Sequence, residues 1–340
     1  MAAAACDTRI GFQEKIASYC AWVKAQEAAI NSQFDYDAPG HAWLRNFPRS
    51  WTIAFNGTGM MQRDVENAII NTVGAMPEGT PEPILRGTVL ADMLDRMHPA
   101  VIPGFDLCGH WIVDGCFTWE PAAEAAMTPE ERTRLLSIHP KRHFGTRFDH
   151  TVPETEQFLR TGVGGVLRRI DAQLAGACTA EEQAFLAGMR ISVEAFSRYI
   201  ARHADEALRQ GRHESAREIQ HIATEPPRTF AEALQLIWFR FVVMIRETRS
   251  ALAFGRLDRH LAPYYAADLA AGRITRESAQ ALLCEMFAFV HWTNTAAITI
   301  GGTLADGTDA TSDVTHIILD AARAVRIPNA SIFARFHKDS

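Results

Sequence analysis

Six cysteines, Cys6, Cys20, Cys108, Cys116, Cys178 and Cys284, are the first candidates for chemistry in this chain. None forms a Cys-x-x-Cys pair, and their spacing is not that of a disulfide framework in a small secreted domain. Cys108, His110 and Cys116 offer the ligand types of zinc. Their spacing fits no common zinc site and no second cluster accompanies them. The thiols read instead as small buried hydrophobes, and no metal ligand is expected. Gly162, Gly164 and Gly165 do not follow a strand-like run, so they are not a dinucleotide fingerprint; no His-Glu-x-x-His, Walker loop or Gly-x-Ser-x-Gly occurs. Lys141, Arg142, His143 and Arg147 read as a solvated basic turn. The more informative polar residues are Arg256 and Asp258, beside Gly255. Arg256 and Asp258 either pair or fix the loop through carboxylate hydrogen bonds.

Elements must position these groups. The periodicity predicts helices over about 10–33, 62–74 and 84–97, with a packed irregular loop over 36–60; the stretch 105–127 resists assignment. Pro153 and Glu154 start a helix with Phe158, Leu159, Val163, Val166 and Leu167 on one face. Its internal glycines imply a kink or a close helix approach. Thr179 with Glu182 resembles a capping box for a helix reaching about 210, followed by a shorter piece over His213–Ala223. Pro226, Pro227 and Thr229, with Glu232 at the N3 position, start a helix that is apolar nearly all round, and so buried on several sides. Gly255 permits a sharp backbone path. Thr275 caps an amphipathic helix, AAITIGG is a strand meeting a turn, Thr308 or Asp309 caps the helix VTHIILDAARAV, and ASIFARFH is the next strand. Strand–helix–strand order favours parallel pairing, as in half of a large α/β barrel. Alternation places Phe333, Arg335 and His337 on one strand face. Arg335 then meets an anionic group if that face is interior, or a helix acid if it is not.

Composition narrows the class. At 340 residues, 47% hydrophobic, with mean hydropathy near zero, the chain can bury a substantial core. No apolar run reaches the ~18 residues of a membrane span, and the N-terminus lacks the layout of a signal peptide. A net charge of −6 argues against nucleic acid as a partner. The cytoplasm is the expected compartment, and no membrane association is expected. One continuous domain, mostly helical through its first two thirds, accounts for the absence of repeats and linkers.

The segments PPRTFAEALQ, FGRLDRHLAPYYAADLAAGRIT, IGGTLADGTDAT and IPNASIFARFH resemble the pyruvate formate-lyase domain of the glycyl radical enzymes, in the family's order, over about 225–337. DHTVPETEQFLRTGVGGVLRRI, at 149–170, resembles the same domain, whereas 1–148 matches poorly. The resemblance implies a predominantly helical α/β fold. An N-terminal helical region would accompany part of a ten-stranded barrel, the whole of 1–340 forming a single, incomplete domain with a divergent part over 1–148 and a family-like part over 149–340. It implies an N-terminal portion of a formate acetyltransferase, a diol or amino-acid dehydratase, or a lyase. Such an enzyme acts on a small organic substrate by thiyl-radical chemistry. HTVP and the Gly-Arg-x-Asp segment favour the lyase and dehydratase branch.

In that family a radical glycine, installed by a separate radical-SAM iron–sulfur activase, passes the radical to a cysteine inside the barrel. Neither residue is placed here: Cys116 lacks the neighbouring acid and sits in the wrong part of the chain, so no catalytic residue is assigned. The chain alone is therefore expected to be inactive and to bind no cofactor itself. His150, Ser250 and Arg335 are the carried-over candidates for substrate contact. His150 reads equally as a cap for the following helix, and Ser250 stands in for a polar residue expected where Ala253 lies. The expected partners are a small-molecule substrate, the activase, and a second copy as a homodimer. The alternative is a non-catalytic truncated homologue with a binding or assembly role, which the coding sequence beyond Ser340 discriminates.

Overall fold

The computed structural model describes residues 14, 21, 76–77, 79–97, 99–102, 104–109, 151–177, 179–246, 252–290, 296–326 and 330–338. The helices expected over 10–33 and 62–74, the loop over 36–60, most of 105–127 and the basic turn lie largely or wholly outside them. In chain order the elements are α1 (Glu82–Arg96), α2 (Glu156–Gly176), α3 (Ala180–Arg209), α4 (His213–Ile222), α5 (Phe230–Arg246), β1 (Leu252–Gly255), α6 (Leu257–Ala270), α7 (Arg276–Val290), β2 (Ala296–Gly301), α8 (Asp313–Val325) and β3 (Ala330–Arg335).

Helices α1 to α4 form the helical layer. In α3 the expected capping box is present: the Thr179 hydroxyl accepts the Glu182 N–H at 3.1 Å, and the Glu182 carboxylate accepts the Thr179 N–H at 2.9 Å. Arg202 of α3 reaches across to donate to the Leu94, Asp95 and Met97 carbonyls at the C-terminal end of α1. That places a cation where the helix leaves carbonyls without partners. Helix α2 starts two residues later than Pro153 and Glu154 suggest. Glu154 remains outside it, and its carboxylate accepts the N–H groups of Gln157 and Phe158. The glycine run in α2 serves both expected purposes. Gly162 breaks the helical path at φ 66°, and Gly164 donates its N–H to the Thr224 carbonyl at 2.7 Å, an approach no side chain could share.

Helix α5 is the hub of the core, with Phe230, Leu234, Trp238, Phe239 and Val242 all inaccessible to solvent. Its start differs in detail from the sequence expectation. The Thr229 hydroxyl accepts the Glu232 N–H, but the Glu232 carboxylate turns to the Arg228 backbone and guanidinium. The Phe230 N–H is taken by buried Asp268 of α6 at 2.7 Å. A long-range carboxylate thus completes what a local box was expected to do.

The three strands form one parallel sheet in the order β1-β2-β3, as the strand–helix–strand alternation requires. Ala296, Ile298 and Ile300 of β2 point into the helical core beside Leu252 and Phe254 of β1. Between β2 and α8 the chain makes a tight loop, bridged antiparallel at Thr303 and Asp309. The cap of α8 is Ser312, not Thr308 or Asp309. Asp309 instead accepts the Thr311 N–H at 2.8 Å, which holds its carboxyl below the usual range. The choice of Ser312 follows from Thr315, which closes a reciprocal box with it and is itself fixed by Asp258 of α6.

Candidate functional site

The strands present their second face away from the helices. In register across it lie Ala253, Ala297 and Ser331, then Thr299 and Phe333, then Gly301 and Arg335. These residues are small, hydroxylated or partly exposed, apart from Phe333 and Arg335 on β3, which stand out from the surface. Parallel sheets ordinarily bury both faces under large aliphatic side chains. A face of Ala, Ser, Thr and Gly carries few large side chains, and its one cation among the described residues, Arg335, is paired with no acid among them.

The ends of the strands are tied from α6. Asp258 is fully buried. Its carboxylate accepts the Gly301 N–H at 2.7 Å, the Thr315 hydroxyl at 2.8 Å and the Arg259 N–H at 2.8 Å. Arg256 donates to the Gly301 carbonyl and does not pair with Asp258. Of the two readings open for this pair, the loop-fixing one is what the structure contains. Gly255 takes φ 67° at the end of β1, the sharp path expected of it.

The mouth of β1 is flanked by the segment leading into α2. Thr151 accepts the Ala253 N–H at 3.2 Å. Arg240 of α5 donates to the Glu154 carbonyl and the Thr155 hydroxyl, and its guanidinium lies 4.8 Å above the Phe158 ring. Burial pulls its pKa down to about 10, against the pull of Glu154. His260, one turn into α6, faces Gly255; burial lowers its pKa, with Glu156 opposing, and its Nδ1 has no hydrogen-bond partner among the described residues. No local pattern marks Arg240 or His260, because their setting depends on three separate segments meeting.

Of the carried-over candidates, His150 and Ser250 lie outside the described residues, next to Thr151 and two residues before Leu252 respectively. Arg335 stands on the partly exposed sheet face with Phe333, while His337 is buried, its Nε2 3.0 Å from the Gly307 carbonyl oxygen. Cys108 is buried, its backbone paired in both directions with the Gln235 side chain. His110 and Cys116 lie outside the described residues. Among the described residues no group of three His, Cys, Asp or Glu side chains is arranged to hold a metal, and no helix is long and apolar enough to cross a membrane.

The described residues form a predominantly helical α/β fold whose three parallel strands carry helices on one face and mostly small residues on the other. The pyruvate formate lyase-like family model matches residues 118–340, and the chain belongs to that family. It is 28% identical over 225 residues to the isethionate sulfite-lyase of Desulfovibrio desulfuricans, an overlap of 55% of this chain and 27% of that protein. To the (2S)-3-sulfopropanediol dehydratase of Klebsiella oxytoca it is 28% identical over 191 residues, covering 47% and 23%. Among solved structures, a glycyl radical enzyme from Archaeoglobus fulgidus superposes with a TM-score of 0.65 at 19% identity, over 80% of this chain and 46% of that one. The hydroxyproline dehydratase from Clostridioides difficile gives 0.62 at 19%, over 79% and 45%. The chain thus spans about a quarter of the curated relatives and under half of the solved structures it matches.

Proposed function

We propose that the chain is the N-terminal portion of a glycyl radical lyase or dehydratase, and that it supplies one wall of the barrel in which the substrate reacts. The observation that carries this reading is the parallel β1-β2-β3 sheet, covered by helices on one face among the described residues, in a member of the pyruvate formate lyase-like family. Residues 1–340 act as a single domain. A thiyl radical takes a hydrogen atom from substrate carbon only where water and oxygen are kept out, and a closed barrel provides that exclusion. The radical glycine and the reactive cysteine belong to sequence beyond this chain's assigned residues, and a radical-SAM activase with its iron–sulfur cluster is the partner that installs the radical. The chain works in the cytoplasm.

The substrate class is a small hydroxylated organic anion. Arg335 supports this, as the one cation among the described residues of an otherwise neutral face, together with relatives whose names specify isethionate and sulfopropanediol. His150 and Ser250 are the further substrate contacts, a reading supported by the family resemblance of the segments that carry them.

The test is electron paramagnetic resonance after anaerobic treatment with activase, S-adenosylmethionine and reductant. A full-length polypeptide containing these residues should give a glycyl doublet and turn over a small hydroxylated sulfonate or carboxylate. The 340-residue chain alone should give neither, and a doublet from it would overturn the assignment.

A further inference from the structure

We propose that Arg256 and Asp258 are positioning residues for Arg335: they fix the Gly301–Gly302 turn against which the Arg335 side chain rests. The inference builds on the reading of Arg335 as an anion contact.

Both polar groups of Gly301 are held from the start of α6, by Arg256 just before the helix and Asp258 in its first turn. Its N–H goes to Asp258 and its carbonyl accepts from Arg256. The clamp sits where β2 stops being a strand. Gly301 and Gly302 take φ 65° and 91°, a region that L side chains avoid, so the turn needs both glycine and external hydrogen bonds to persist. Arg335 is the register partner of Gly301. A Cβ on Gly301 would come within 2.7 Å of the Arg335 carbonyl oxygen; one on Gly302 would lie 3.0 Å from its Cβ and 3.5 Å from its Nε. The guanidinium arm is therefore laid along bare backbone, and its direction follows from where that backbone is held.

The chemistry of the clamp fits positioning better than simple cohesion. Asp258 is a buried carboxylate with no cation bonded to it among the described residues, a costly choice where an apolar side chain would pack. Its bonds to Gly301 and Thr315 share one oxygen, so the end of β2 and the first turn of α8 are locked to a single atom. Short charge-assisted bonds of this kind fix geometry closely. A long flexible side chain such as Arg335 gains from such support, because its ordering entropy is met before an anion arrives.

The experiment uses the full 340-residue chain at a concentration where sedimentation shows it to be monomeric. The Arg335 Nε–H resonance, assigned by its loss in Arg335→Ala, reports the guanidinium directly, and titration with methanesulfonate reports anion affinity. Arg335→Ala should weaken methanesulfonate about tenfold, the loss of one charge-assisted contact. Asp258→Asn should shift the Nε resonance and weaken binding several-fold, and should have no further effect on binding in the Arg335→Ala background. Arg256→Gln, at a partly exposed position, should act the same way and serves if the buried substitution prevents folding. An unmoved Nε resonance in folded variants, or equal weakening with and without Arg335, overturns the proposal. If Arg335→Ala binds methanesulfonate as the parent does, the anion reading fails, while the resonance still decides whether Arg335 is positioned by the clamp.

Discussion

Gly162 combines two demands that only glycine meets. Its φ of 66° with ψ 178° is outside the range of L residues, and an added Cβ would lie 2.5 Å from the Pro226 nitrogen. Gly162→Ala should therefore destabilise the fold by about 2–4 kcal/mol, read as a lower denaturation midpoint with unchanged m-value. Glu218 carries the opposite kind of tension. It lines a cavity of about 280 Å³ with Glu214, Glu232 and Asp106, and burial, then Glu232 and Glu214, push its pKa up, with Arg228 opposing. A carboxyl raised in the folded state costs no stability at pH below the ordinary value of about 4.3, and stability falls as pH rises through the interval up to the raised value. Glu218→Gln should remove that fall. The variant should be more stable than the parent at pH 7, on the order of 0.5 kcal/mol because solvent screens a half-exposed group, and equal to it near pH 3.5. Thermal melts at both pH values check this; a variant less stable at pH 7 would show that Glu218 makes a bond worth more than its burial costs.

Among the elements, legibility tracked the distance between a residue and the groups that settle it. Thr179 caps α3 through a partner three residues away, and the pattern was readable at once. Glu182→Ala should cost about 1 kcal/mol, seen as a lower melting temperature and faster amide exchange in the first turn of α3. The loop 306–313 offered several hydroxyls and carboxylates in a row, each a plausible cap. Ser312 is selected because Thr315 is held from 57 residues away by Asp258, which no local pattern reports. The same holds at α5, where Asp268 takes the first N–H from 38 residues away. The parallel strands were legible from their β-branched runs and the helices between them. The network that fixes their ends was not, beyond the pairing of Gly255 with Arg256 and Asp258. The glycines of α2 announced close contact without naming the Thr224–Pro226 segment that makes it. The candidate site shows the same division: Arg335 was visible as a cation at a strand end, while Arg240 and His260 became visible only once α2, α5 and α6 met around β1.

At the scale of the whole molecule, the sheet poses a question of coverage. Among the described residues β3 is an outer strand, and Phe333 and Phe336 beside it are 58% and 82% exposed. An outer strand with a row of open backbone groups and two exposed phenyl rings is a template for pairing with another strand. Arg335 between the rings is the only charge opposing that association from within the strand, and one gatekeeper is a weak defence. The solved relatives this chain matches are more than twice the length it covers in them, which leaves ample chain in those proteins to shield the equivalent surface. The 340-residue chain by itself is accordingly expected to self-associate through β3 in a concentration-dependent way. Sedimentation velocity should show the parent moving from monomer to larger species as concentration rises, and the double substitution Phe333→Lys and Phe336→Lys should hold it at monomer without lowering its melting temperature by more than about 2 °C, since neither ring is buried. A parent that stays monomeric throughout, or a variant that associates as readily, would mean that the β3 surface is already protected and that the association surface lies elsewhere.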